Sequence, residues 1–419
     1  MFRIWPKRYS LLLPQSNYMN NSTNFSGNSV FGQLISLIPK QQVQSAVKKY
    51  QSDKFTKRFS TWDHLLSMLF ATASNTTSLR DVTNGFLGLE GKLKHLNMKR
   101  PPKRSTISDA NKRRSYHVFE KIYYDLLNLY KPILSDSRFK DSFGKELSII
   151  DSTTIFLFKD ILKCVGRKPE SGKRKGGIKV HMQIRPDYNS PVLVKFTDAT
   201  SHDSSFMNDI EFTSDHIYVF DKGYNDYDRF ESFNFNHVPF VTRLKHNASF
   251  RRKKEFELTV HSNQAILLDE QIVLPIRESG KINRGLPLRR VVYWDEKHQV
   301  CYEFISNIYE LTADQIALIY QSRWQIETLH KQLKQNQSLS YFLGDNVNAI
   351  IIQIWCALIW NLLLTVLQRQ IRAKSWAFSN LASVIRLHLF NYIHLNSFLK
   401  NPEKHYQQII ATEMSLFSG

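Results

Sequence analysis

The sequence predicts a mixed α/β chain: a helical block first, an α/β core after it, and an all-β stretch set into that core. Three observations carry this. Between Phe31 and Tyr130 apolar residues recur at helical spacing, as in Leu34, Ile35, Leu37 and Ile38, then Leu65, Leu66, Leu69 and Phe70. From about Glu146 the chain switches to short runs of β-branched and aromatic residues between polar turn formers. Residues 255–310 hold four such runs with no helical segment between them.

The elements follow in order. Residues 1–29 read as a flexible lead, because 15–29 is polar and Asn-rich. Residues 30–140 form the helical block. Inside it Pro101-Pro102 breaks the pattern, and Ser105 is the expected N-cap of a helix from Thr106. The core spans 141–254 and 311–395. Its strands are Leu147–Phe158, a hairpin of Ile178–Arg185 and Val192–Thr197 across Pro186–Ser190, Ile217–Phe220 and Val238–Thr242. The β-rich insertion, 255–310, contributes Phe256–Val260, Gln271–Pro275, Leu288–Tyr293 and Gln299–Ile305. From Thr312 the chain is helical nearly to a tail at 396–419. Residues 349–367 carry no charge and are about long enough to span a bilayer. Gln353, Ala357, Asn361 and Thr365 lay a small or polar stripe along that helix, which favours a buried helix of a large core over a membrane span.

Charge narrows the partners. Lys and Arg number 57 against 37 Asp and Glu, a net charge of +20, with a pI near 9.7. That excess points to a polyanion, nucleic acid or an anionic membrane surface. A hydrophobic fraction of 42% excludes a wholly disordered chain. Cys164, Cys301 and Cys356 are too far apart for a metal-ligand pattern, so a reducing compartment is expected. The first residues lack the apolar run of a secretory signal, and a cytoplasmic location follows as the expectation.

The chemistry concentrates in three acids. On a helix opening with a Thr312–Gln315 capping box, Tyr320, Arg323, Glu327 and Lys334 fall within an arc of about 60° at 100° per residue. An acid there is flanked by two cations and a phenol, and an ordinary i,i+4 ion pair is the competing reading. Asp151 stands mid-strand in Ile149–Thr154, where a carboxylate is costly to bury without a charged partner. Asp221 stands at the carboxyl end of a strand, where α/β ligand sites gather. Each Asp alone reads more readily as a capping or turn residue than as a ligand. Together, three hard carboxylates suit a divalent cation working on phosphate.

These residues resemble the DDE transposases of bacterial insertion sequences, in the group with a Tyr-x2-Arg-x3-Glu-x6-Lys helix. Tyr320, Arg323, Glu327 and Lys334 match that spacing in full. Asp151-Ser-Thr-Thr154 is similar to the first-Asp strand, and Gly176–His181 and Thr197–Asp203 to the next two strands. Asp221-Lys-Gly-Tyr224 resembles the second-Asp motif, with Lys where Arg is more frequent. The stretches Phe31–Pro39, Phe59–Leu65 and Ser105–Arg113 resemble the domain that precedes the core in one branch. The resemblance implies a ribonuclease-H-like catalytic core interrupted by an all-β insertion and preceded by an all-α DNA-binding domain. It implies Asp151, Asp221 and Glu327 as catalytic residues and ligands of two Mg²⁺ ions, with Mn²⁺ as substitute. It further implies Tyr320, Arg323 and Lys334 as phosphate contacts, double-stranded DNA (transposon ends and target) as partner, a homodimer in the synaptic complex, and no membrane.

The charge excess then has addresses. Residues 92–114 hold nine cations against Asp109, among them Lys103, Arg104, Lys112, Arg113 and Arg114, and read as a helix-turn-helix-like reader of the terminal repeat. A solvated basic face is the alternative. Residues 163–179, with Arg174 and Lys175, read as a DNA-contact loop beside Asp151, and Arg251–Lys254 form a third patch. His181 and His202 read as structural, and Trp294 as a packing residue before a base-stacking one. A silent DNA-binding relative and a structure-selective nuclease on the same fold are the other functional readings.

Overall fold

The computed structural model describes residues 27–89, 91–135, 142–156, 177–258, 265–278, 281–336, 341–371 and 376–403. Six helices lead: α1 Val30–Ile35, α2 Lys40–Tyr50, α3 Thr61–Ser74, α4 Leu79–Leu87, α5 Arg104–Arg113 and α6 His117–Leu134. Local chemistry sets their starts. Ser60 and Asp63 close a reciprocal capping box on α3, and Ser78 caps α4. The helix expected from Thr106 begins two residues earlier, at Arg104, with Lys103 as an N-cap that makes no side-chain bond.

The strands β1 Glu146–Phe156, β2 Gly177–Arg185, β3 Ser190–Asp198, β4 His216–Phe220, β5 Phe240–Arg243, β6 Arg251–Glu255, β7 Ile266–Glu278, β8 Lys281–Asp295 and β9 Val300–Ser306 form one sheet, ordered β3-β2-β1-β4-β5-β9-β8-β7-β6. β1, β4 and β5 run parallel, and the remaining pairs are antiparallel. The hairpin expected across Pro186–Ser190 is present.

The β-rich stretch differs from its expectation in two ways. It extends the central sheet instead of forming a block of its own, because β9 pairs with β5 from Val241–Ser306 to Arg243–Phe304. Its first strand lies at Arg251–Glu255, ahead of the expected 256–260, and residues 256–258 are irregular. Four consecutive cations hide the β tendency of that segment from a pattern built on apolar runs.

Helix α7 Tyr227–Phe235 covers one face of the sheet. Phe230 and Phe233 pack there with Ile150, Phe220, Phe240, Ile272 and Leu288. The other face meets α8 Ala313–Gln321, α9 Trp324–Asn336 and the leading helices, with Ile149, Val219 and Val241 on that side. Adjacent Ile149 and Ile150 facing opposite cores is the period-two alternation of a strand covered on both sides.

Helix α10 Val347–Ile371 runs through the larger core, followed by α11 Phe378–Leu387 and α12 Leu395–Lys400. It alone among the described residues is long and apolar enough to cross a membrane, and its apolar window is fully buried inside the protein. Gln353 and Thr365 find partners there, whereas the buried Trp355 Nε1 has none among the described residues. The Gln353 amide accepts from the Leu343 N–H at 2.9 Å and donates to the Tyr341 carbonyl, and Thr365 bonds the Asn361 carbonyl. Trp355 ties three elements together, with Tyr123, Tyr124 and Phe196 rings 5.4–5.8 Å away.

Candidate active site

Asp151 and Asp221 are brought side by side by the parallel pairing of β1 and β4. The β1–β4 register ends at Ile150–Phe220, so Asp221 is the next residue at the carboxyl end of β4, while Asp151 follows Ile150 midway along β1, which continues against β2 to Phe156. Asp221 also caps a short 3₁₀ turn, Lys222–Tyr224, where its Oδ2 accepts the Gly223 N–H at 3.4 Å. Glu327 arrives from above the sheet, in the first turn of α9.

The helix that carries Glu327 is not continuous. The expected single helix from 313 ends at Gln321 and restarts at Trp324. Between them Arg323, Gln325 and Ile326 donate to the carbonyls of Tyr320, Ser322 and Arg323, each three residues back, which tightens the turn. The capping box of Thr312 and Gln315 at the start of α8 is present. The kink changes the wheel angles yet keeps Tyr320, Arg323 and Glu327 together.

Guanidinium groups bridge the acids. Arg323 reaches Asp151 Oδ2 at 3.4 Å and Glu327 Oε1 at 2.5 Å. Arg243, at the end of β5, reaches Asp221 Oδ1 at 3.1 Å, and the Tyr320 hydroxyl donates to the same oxygen at 3.3 Å. Tyr320 is buried against the Phe304 ring, with centroids 4.7 Å apart, and both arginines lie over its face.

The acids feel one another. Burial pushes the Asp151 carboxyl up to about 6, and the charges of Asp221 and Glu327 add to the rise despite Arg323. Burial also opposes ionisation of Asp221, but Arg243, Arg323 and the Lys222 and Gly223 amides outweigh it and hold its carboxyl below the usual range. Burial raises Tyr320 to about 12, so its hydroxyl stays protonated as a donor. Lys334 lies farther along α9, exposed and outside this bonded group.

A second polar group lies around the residue after Asp151. The Ser152 hydroxyl donates to Asp203 Oδ1 at 2.6 Å, and Lys179 Nζ lies 3.2 Å from the same oxygen. Buried His181 bonds Thr197 Oγ1 at 2.8 Å and stacks on Phe206, and burial lowers it to about 4, so it is neutral. His202 precedes the 3₁₀ turn Asp203–Asp209 and bonds Ser205 through its carbonyl.

Of the expected DNA contacts in the helical block, Lys103, Arg104, Lys112 and Arg113 are exposed, with Lys112 3.8 Å from Asp345. Arg114 is a correction. Its guanidinium is buried, 3.3 Å from Asp53 and bonded to the carbonyls of Ser52 and Phe59, so it ties α5 to the α2–α3 connection. Arg174 and Lys175, with the rest of 157–176, lie outside the described residues. Trp294 is half-buried in β8. Sequence reasoning missed Arg243 and Asp203. Arg243 carries no motif around it, whereas Asp203 closes the quoted Thr197–Asp203 motif and was read only as part of a strand.

The Transposase DDE domain family matches residues 142–362, a span that contains Asp151, Asp221 and Glu327. The chain belongs to the DDE transposase family. A protein of Sinorhizobium fredii named as a transposase is 30% identical over 268 residues, 64% of this chain and 72% of its own length. A transposase of an insertion sequence element in Geobacillus stearothermophilus is 25% identical over 67% of this chain and 72% of its own. One in Synechocystis is 25% identical over 63% and 71%. Residues 26–99 match a family described as a domain of unknown function. The transposase therefore acts on DNA, cutting and transferring strands, and its family generally uses divalent metal ions. Among the described residues no three His, Cys, Asp or Glu side chains already stand in a metal-holding arrangement. The three acids are instead engaged by Arg323, Arg243 and Tyr320.

Proposed function

We propose that this transposase cuts at the terminal inverted repeats of an insertion sequence and joins the freed ends to target DNA, with Asp151, Asp221 and Glu327 as its catalytic residues. The observation that carries the reading is the convergence of these acids, from two parallel strands and a helix, around two guanidinium groups, Arg323 paired with Asp151 and Glu327 and Arg243 paired with Asp221. The donor set fits Mg²⁺: all ligating atoms would be carboxylate oxygens, and burial first, then the charges of Asp221 and Glu327, raise Asp151, a cost that a bound cation would relieve. Two such ions, with Mn²⁺ able to replace them, would supply an activated water or 3′-hydroxyl and stabilise the leaving oxygen.

The chain's own groups place the DNA. Arg323 and Arg243 now neutralise the acids, and both are free to turn to phosphate oxygens when cations take their place. Tyr320 donates one hydrogen bond from a fixed position, and Lys334 adds a cation farther along the same helix. Exposed Lys103, Arg104, Lys112 and Arg113 on α5 are the terminal-repeat contacts of the helical segment 30–140. The core, 141–254 and 311–395, is of ribonuclease-H-like type, with 255–310 as its insertion. Bringing two ends together calls for a homodimer, working in the cytoplasm on double-stranded DNA.

The test is incubation with Mg²⁺ of a duplex carrying the element's own ends, beside a scrambled duplex. Cleavage confined to the element's ends, followed by strand-transfer product, is the expected result. Cleavage of both duplexes without transfer would instead mark a nuclease. Binding without cleavage would mark a silent DNA-binding protein.

A further inference from the structure

Strand β6 lies at the far edge of the sheet, and all five of its residues, Arg251–Glu255, are exposed. A cleft of about 320 Å³ opens at Asp221 and is lined by Lys222, Lys245, His246 and Asn247. A second, of about 480 Å³, shares Lys245 and Asn247 and runs past Ser249 to Pro275 of β7, with Asp228 as the acid on its wall. Arg251 pairs with Val273, so β6 continues where that cleft ends. An uninterrupted surface thus leads from a catalytic carboxylate to a row of four cations.

Of those cations only Arg252 is engaged by an acid among the described residues. Arg252 lies 3.5 Å from Glu270, while Lys245, Arg251, Lys253 and Lys254 form no ion pair among the described residues. Charge on an edge strand also guards against edge-to-edge pairing. One or two cations suffice for that purpose, and it does not require a link to the active site. The register slips between Arg252 and Lys254, so Lys253 is the extra residue of a bulge, a device that re-aims a side chain.

Topology decides which DNA belongs here. Of the leading helices, α6 reaches the opposite edge of the sheet, where the Tyr123 hydroxyl bonds the Pro191 carbonyl and Tyr124 accepts the Val194 N–H of β3, and Asn348 ties the end of α5 to the start of α6. Their exposed α5 cations and β6 therefore lie on either side of Asp151 and Asp221. A duplex whose scissile phosphate rests on the acids has one arm toward each.

We propose that Lys245, Arg251 and Lys253 hold the flanking DNA, the duplex arm beyond the scissile bond on the side away from the transposon end. This rests on reading Asp151, Asp221 and Glu327 as the cleavage centre. β6 is five strand steps from β4, about 24 Å at ~4.8 Å per step. That span covers about seven base pairs at ~3.4 Å each.

The experiment measures Kd, with Ca²⁺ in place of Mg²⁺, for two duplexes bearing the element's end. One stops at the scissile bond and the other carries a long flank. The flank is expected to tighten binding by the native chain about tenfold, with most of the gain reached by about seven to ten base pairs. The triple variant Lys245→Ala, Arg251→Ala, Lys253→Ala is expected to bind the flankless end within twofold of native and to lose the gain from the flank. Lys253→Ala alone, in the bulge, is expected to lose part of it at an unchanged thermal midpoint. A flank that adds nothing to native affinity overturns the proposal, as does an equal loss on both duplexes. Failure of the underlying reading is separate: Asp151→Asn would then leave cleavage intact, whatever the flank contributes.

Discussion

Asp151→Asn is expected to abolish strand cleavage and, at pH 8, to raise the thermal midpoint by about 3 °C. The two effects have one cause. The Asp151 carboxyl is shifted from 3.8 to about 6, chiefly by burial and then by the neighbouring carboxylates. At ~1.4 kcal/mol per unit, ionising it in the folded chain costs at most about 3 kcal/mol relative to the unfolded chain. For a chain this long that corresponds to about 3 °C. The sign fixes the pH window. A carboxyl raised in the folded state favours folding below its unfolded value, and that contribution is lost as pH rises through about 6. The Asn variant, which never ionises, gains above pH 6 and not below about 4. Thermal unfolding of both proteins from pH 4 to 8 checks this. An Asn variant that is less stable than native at pH 8 would contradict it. Native Asp151 keeps an unfavourable charge because the acids together attract a cation that no amide would hold.

Arg323→Ala carries the second large effect. Arg323 bridges Asp151 and Glu327 and lies over the Tyr320 ring. Its loss leaves two half-buried carboxylates without their shared counter-charge. Cleavage is expected to fall about 10²- to 10³-fold, the scale seen when a fixed donor to a reacting group is removed. Binding of the element's end should weaken, with the slope of log K against log salt shallower by about one. Arg323→Lys should restore much of the salt slope but little of the rate, because an ammonium cannot reproduce the two-pronged reach of the guanidinium. Full recovery of rate in Arg323→Lys would show that only charge matters there. Without DNA or metal, Arg323→Ala should also be stabilised more than native by added Mn²⁺, since the cation then relieves a repulsion nothing else covers.

Much of this architecture was legible because it depends on local pattern. The apolar alternation at Ile149–Ile150, the capping signals at Ser60 and Thr312 and the turn formers at 186–190 each act over a few residues. What stayed hidden depends on distant pairing. Nothing local in Val241 or Ser306 says that β9 joins β5, so the β-rich stretch looked like a separate block. The kink at Ser322–Arg323 breaks no propensity rule, since neither Gly nor Pro is present. Arg114 looked like its neighbours in a basic run until Asp53 and two carbonyls closed around it. At the site, motif spacing singled out the acids and Tyr320, Arg323 and Lys334. Arg243 was invisible because its partner, Asp221, is 22 residues away in sequence and meets it only across adjacent strands.

On the proposed reading, Asp151, Asp221 and Glu327 jointly hold the divalent cations at which DNA is cut. Direct Mn²⁺ binding to the DNA-bound protein, read by electron paramagnetic resonance, tests it without relying on turnover. Native protein with an uncleavable end duplex is expected to take up two ions per protomer. Asp151→Asn, Asp221→Asn and Glu327→Gln should each lose at least one ion or bind at least tenfold more weakly, while still binding the duplex. Unchanged stoichiometry and affinity in any of the three variants would contradict the claim.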